Sequence, residues 1–144
     1  MGLPNEYIKQ CAEAVELQDM VVPKWSLVYS KSCKKIGLLL EDERHTGYGM
    51  TLYFKRGSTI PTVVTTGKFV WLPTQEQLQG MIGKAIFATT LQLAKGFYYW
   101  YDNQRDDLEL LIAYDIRLWS MQQLWLAYAM RILYKKDWCG DYWE

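Results

Sequence analysis

The chain has 144 residues, half of them hydrophobic and 22 % charged, and 16 basic and 16 acidic side chains cancel to a formal net charge of zero. That length supports one domain over residues 1–144 with a core of its own, needing no disulfide or metal staple, and the composition excludes a disordered chain. Zero net charge argues against a strong nucleic-acid binder, which is usually basic overall, although residues 25–73 carry seven basic against three acidic side chains.

From Asn5 to about Gln18, Ile8, Cys11, Ala12 and Val15 recur at helical spacing and predict a short amphipathic helix, which Pro23 prevents from continuing. Between Lys24 and Pro73 the residues are β-branched and aromatic in short runs parted by turn chemistry. The reading is five strands: Ser26 to Lys31, Lys35 to Glu41, Tyr48 to Lys55, Pro61 to Thr66 and Lys68 to Leu72. Their short connections favour a small antiparallel meander sheet or partial barrel. In the third strand Tyr48, Met50, Leu52 and Phe54 alternate with smaller or polar residues and are expected to face a core.

After Pro73 the hydrophobic period becomes helical. Thr74 with Gln77 makes a capping box, and Leu78, Met81, Ile82, Ala85 and Ile86 form an apolar stripe that predicts a helix running into the 90s. Asp102 to Asp107 reads as a polar connection, and Leu108 to Arg117 as a short helix or strand. Ser120 with Gln123 is a second capping box and opens a helix expected over Met121 to Lys136, basic in its last turns. The expected fold class is therefore α+β: a short N-terminal helix, a small sheet, then C-terminal helices packed on it.

Met1 to Lys24 has neither a basic nor an apolar signal region, and the longest apolar runs fall far short of the ~20 residues of a spanning helix, so a cytoplasmic protein without a membrane segment is expected. Cys11, Cys33 and Cys139 are scattered and odd in number, which fits reduced thiols.

Trp71-Leu72-Pro73-Thr74-Gln75-Glu76-Gln77-Leu78-Gln79, together with Gln123 to Tyr128 followed by Trp138, Gly140 and Trp143, resembles a family of small proteins encoded by phages and prophages of Gram-positive bacteria. The resemblance covers mainly the second half of the chain. It implies a genetic setting and no particular chemistry. The same residues have a structural reading, as a strand end, a helix cap and a C-terminal indole clasp.

Named chemistries fail one by one. The one histidine, His45, lies in an acidic turn with no zinc-ligand spacing around it, and no glycine-rich phosphate loop is present. Cys33 beside Lys34 and Lys35 lacks a histidine partner. Asp102, Asp106, Asp107, Glu109 and Asp115 cluster around one connection, which a polar loop with helix-capping aspartates explains better than carboxylate catalysis does. The expectation is a binding protein rather than an enzyme, with no cofactor, no metal and no catalytic residue.

Two surfaces suit binding. Lys31, Lys34, Lys35, Lys55, Arg56 and Lys68 gather at strand ends and turns, where loops on a rigid sheet carry recognition. Phe97-Tyr98-Tyr99-Trp100-Tyr101 is a run that no single face can bury, so some of Tyr98, Tyr99, Trp100 and Tyr101, with Arg105 beyond them, are expected at an interface. The leading expectation is an inhibitor of a host antiviral defence that binds either a defence protein or its signalling nucleotide. A nucleic-acid-binding protein and a homo-oligomeric assembly protein are the alternatives.

Overall fold

The computed structural model describes residues 5–31, 34–43, 48–54, 61–106 and 116–144, and side chains for all of these except 41–43, 48–54 and 61–67. The chain is α+β and forms two compact units, Met1–Pro73 and Thr74–Glu144.

In the first unit the N-terminal helix is two helices, α1 (Asn5–Glu13) and α2 (Val15–Gln18), parted at Ala14, whose ψ of 72° is not helical. The buried face is also rotated from the expected one. Tyr7, Gln10, Cys11, Ala14 and Leu17 are buried, Ile8 and Ala12 are half-buried, and Val15 is exposed. Tyr7 explains the rotation, because its hydroxyl donates to the Pro73 carbonyl and anchors that side of α1.

The strands are β1 (Leu27–Ser30), β2 (Lys35–Glu43), β3 (Tyr48–Phe54) and β4 (Pro61–Trp71). Each is antiparallel to the next, and β4 returns to pair with β1, with Val28 opposite Trp71, closing a barrel. Among the described residues four strands stand where five were expected, because Pro61 to Thr66 and most of Lys68 to Leu72 belong to one strand. The break expected between Thr66 and Lys68 is a bulge: Tyr48 faces Lys68 but Met50 faces Thr65, so β4 carries one residue more than β3. A second bulge lies at Leu40 in β2, where Leu39 faces Thr51 and Glu41 faces Met50. Along β1 and β2 alternate residues Val28, Ser30, Gly37 and Leu39 are buried, the period-two pattern of strands with one inward face. The expected core face of β3, and Lys55 and Arg56 after it, lie outside the described side chains.

The edge of β4 is closed by a side chain. The Leu72 N–H donates to Leu27 of β1, so the N–H and carbonyl of Trp71 turn to the opposite edge, beyond the Tyr48–Lys68 pair of β3 and β4. There Gln18 Oε1 accepts from the Trp71 N–H at 2.7 Å, while Gln18 Nε2 donates to the Trp71 carbonyl at 3.0 Å and to the Cys11 carbonyl at 3.0 Å. One amide thus does the work of a strand, satisfying backbone groups beside a residue that is almost wholly buried.

The second unit contains α3 (Gln75–Ile86), α4 (Thr90–Arg105), a 3₁₀ turn at Ile116–Leu118 and α5 (Met121–Tyr134). Each of the three described α-helices of this unit begins with a reciprocal capping box, Thr74 with Gln77, Thr89 with Gln92 and Ser120 with Gln123. The expected single helix from Thr74 into the 90s is two, since Phe87 adopts the left-handed conformation (φ 53°) and Ala88 N–H closes back onto the Gly83 carbonyl. The expected polar connection begins later, because Asp102 to Arg105 are the last turn of α4; the rest of it and most of Leu108 to Arg117 fall outside the described residues. Lys135 ends α5 in the same way as Phe87 ends α3, two residues before the expected stop, with φ 56° and Lys136 N–H donating to Met130.

Every residue of α5 from Gln123 to Met130 is buried, so this helix is apolar around its whole circumference and central to its unit. The chain then closes in a small antiparallel clasp. Asp137 and Glu144 exchange backbone hydrogen bonds of 2.8 and 3.0 Å, Cys139 N–H donates to Tyr142, and the buried Trp138 and Trp143 rings lie 5.1 Å apart. Gly140, at φ 110°, makes the turn.

Candidate functional site

The aromatic run lies on α4, where successive residues turn by roughly 100°. The helix therefore sorts it into two groups. Phe97, Trp100 and Tyr101 face inward: Phe97 stacks on Trp125 of α5 with centroids 4.1 Å apart and planes at 9°, and meets Tyr128 edge-on at 5.7 Å and 84°. Trp100 lies 5.6 Å from Tyr128, and Tyr101 lies parallel to Phe97 at 6.5 Å. Offset-stacked and edge-to-face pairs are the favoured aromatic geometries, each contributing about 0.5–1.5 kcal/mol beyond area burial. Gly96 admits this layer, since a Cβ there would lie 2.5 Å from the Tyr128 hydroxyl. Burial raises the pKa of that hydroxyl above its ordinary value.

Tyr98 and Tyr99 point the other way and are 60 % and 74 % exposed, with Leu91, on the side of Tyr98, 65 % exposed. The outer side of α4 thus presents Leu91, Tyr98 and Tyr99 around the exposed Lys95. Arg105 is held by its own helix end, bonded to Asp102 one turn back and 3.8 Å from Asp106, so its charge is already neutralised.

Beside α4 runs a groove of about 380 Å³ between α3, α4 and α5, with Gly80, Gly83 and Leu93 among its walls and Glu76, Gln79 and Thr90 supplying polar groups. Trp125 also lines it, and its buried indole N–H meets no acceptor among the described residues. Among the described residues of the lining Glu76 alone is ionisable. A groove with that single negative charge accommodates neutral or cationic groups and repels phosphate.

In the first unit Lys31, Lys34, Lys35 and Lys68 are all exposed. The β1–β2 turn brings the first three together, and Lys31 N–H donates to the Lys68 carbonyl at 3.3 Å, which adds the fourth from β4. Lys34 sits in left-handed backbone (φ 56°) in that turn. Lys55, Arg56, His45 and Cys33 lie outside the described residues, as do three members of the carboxylate cluster, Asp107, Glu109 and Asp115. Cys11 and Cys139 are free thiols, and burial pushes Cys11 far above the ordinary thiol range, with the Tyr7 hydroxyl opposing the shift weakly.

Three exposed aromatics, Trp25, Phe87 and Tyr142, escaped the sequence reading. Trp25 and Phe87 are exposed and both occupy left-handed backbone, at φ 67° and 53°. For Phe87 a signal was available, because the capping box Thr89-Thr90-Leu91-Gln92 requires a helix start there and hence a helix end just before it. Among the described residues no group of three metal-ligating side chains occurs, and no helix is long and apolar enough to cross a membrane. Comparisons with protein-family models, curated proteins and solved structures find nothing that matches this chain.

Proposed function

We propose that this chain is a non-catalytic phage accessory protein that inhibits a host antiviral defence by binding a protein of that system. The observation that carries the binding reading is the outer side of α4, where Leu91, Tyr98 and Tyr99 stand in solvent on a helix whose Phe97 and Trp100 are half-buried against α5. Tyr is enriched at protein interfaces because it offers an apolar body and a polar tip at small entropic cost. The phage setting rests on the sequence resemblance.

Of the two forms of inhibitor, a protein-directed one is favoured over a sponge for a signalling nucleotide. Among the described residues the groove beside α4 offers an acidic side chain and no basic one, whereas a nucleotide phosphate needs cations or clustered N–H donors. The test is phage plaquing on host strains that each carry one antiviral system, with and without the expressed chain. Restored plaquing on one of them is expected, and its loss on combining Tyr98→Ser with Tyr99→Ser at unchanged thermal stability. Unrestored plaquing across the panel refutes the reading.

The lysines around the β1–β2 turn support a second reading, a protein that contacts nucleic-acid phosphates. Fluorescence anisotropy with labelled single-stranded DNA and RNA distinguishes it. Affinity should then fall steeply with salt and drop on replacing Lys34 and Lys35 by Gln, and absence of binding at low salt eliminates it.

A further inference from the structure

Two exposed residues work against the stability of the isolated chain, Gly80 of α3, at the mouth of the groove described above, and Phe87 at the end of that helix. Gly80 lies mid-helix, where glycine is about 1 kcal/mol less favourable than alanine, yet a Cβ built there meets nothing within 4 Å. The fold itself does not require a glycine at this position. Phe87 ends the helix in left-handed backbone, where a side chain is disfavoured and glycine is the usual choice, yet its ring is 93 % exposed and packs on little of its own chain. Both choices become favourable when another backbone approaches α3 closely and covers the ring.

The charges along the same row indicate what approaches. Glu76, Gly80 and Lys84 are spaced at i, i+4 and i+8 and are all exposed, so the row reads acidic, glycine, basic, with about 6 Å between successive members. Such a row is complementary to itself when reversed. A two-fold axis at Gly80 sets Glu76 of each copy against Lys84 of the other, aligns the two helices antiparallel and so opposes their dipoles favourably. Phe87, at the Lys84 end, is then carried over the first turn of the facing helix.

We propose that this outer row of α3, Glu76-Gly80-Lys84 ending in Phe87, is a two-fold interface between copies of this chain. A contact one helix of 12 residues long belongs at the small end of interface sizes, so the association is concentration-dependent rather than obligate. It leaves the outer side of α4 to the partner surface described above. Its failure and the failure of the defence-inhibitor reading are therefore separable, one read from mass and the other from plaquing.

Sedimentation velocity of the full chain over a wide concentration range provides the test. The mass is expected to rise from one chain to two. Lys84→Glu and Glu76→Lys should each weaken dimerisation by about tenfold or more through like-charge contacts, and the double reversal should restore it. Phe87→Gly should weaken the dimer while leaving the melting temperature of the monomer equal or higher, which separates an interface role from a structural one. A single-chain mass at every concentration overturns the proposal. So does an assembly that the single reversals leave unchanged, or one that the double reversal fails to restore.

Discussion

Replacing Gln18 by Leu keeps the bulk of the side chain and removes its amide. Three hydrogen bonds disappear, at 2.7, 3.0 and 3.0 Å, each contributing about 1 kcal/mol net. The Trp71 N–H, beside a residue only 2 % exposed, is left without an acceptor at a further cost of roughly 1–3 kcal/mol, partly overlapping the first loss. The total destabilisation is about 2–4 kcal/mol. Gln18→Glu is a sharper probe. A carboxylate still accepts from the Trp71 N–H, but its second oxygen faces the Cys11 and Trp71 carbonyls, which the amide N–H₂ had satisfied. Protonation restores one donor, so the folded state raises the pKa of this Glu. The variant should therefore be closest to wild type below the ordinary Glu pKa of about 4.3 and lose stability as pH rises through the elevated folded value. Urea unfolding gives the magnitude, and hydrogen exchange at the Trp71 amide gives the location. A Gln18→Leu protein within about 0.5 kcal/mol of wild type, or a Trp71 amide that stays equally protected, refutes the claim that this amide completes the barrel edge.

Other outcomes follow from single contacts. The pKa of Cys11 is raised on folding, so stability is full below the unfolded thiol value of about 8.5 and falls above it by up to about 1.4 kcal/mol per pH unit; unfolding of wild type and Cys11→Ala at pH 8 to 9.5 should show this slope in the wild type alone. At neutral pH a thiol reagent mapped by mass spectrometry should label Cys139, which is half-exposed, and spare the buried Cys11. Gly96→Ala should destabilise despite its gain in helix propensity of about 1 kcal/mol, because the Tyr128 ring is held against Phe97 and Trp100 and cannot yield the 2.5 Å contact; near-ultraviolet circular dichroism should weaken with it. Gly140→Ala has space for its methyl but not the backbone freedom, since φ is 110°, and should cost about 1–3 kcal/mol in thermal or chemical unfolding.

The sequence by itself determined what nearest neighbours decide. Two capping boxes, Thr74 with Gln77 and Ser120 with Gln123, were legible because both partners lie three residues apart and meet as soon as the turn forms. The third, Thr89 with Gln92, was equally local and was overlooked under a continuous apolar stripe. The strand-rich character of residues 24 to 73 was visible in composition, but a glycine that bulges a strand and one that parts two strands look alike, so one strand was divided at Gly67. For the candidate site, the aromatic run was visible as a surplus. Which of its rings face outward depended on the phase of α4 against Trp125 and Tyr128, residues about 30 positions away.

Tertiary structure alone rotated the buried face of α1 onto Tyr7 and Gln10, joined β4 to β1, and set the Gln18 amide against Trp71 across 53 residues of chain. Such pairings require distant segments to meet first, and the residues taking part carry no local mark of it: Gln18 is one polar residue among several until the barrel edge needs an acceptor and a donor in the same place.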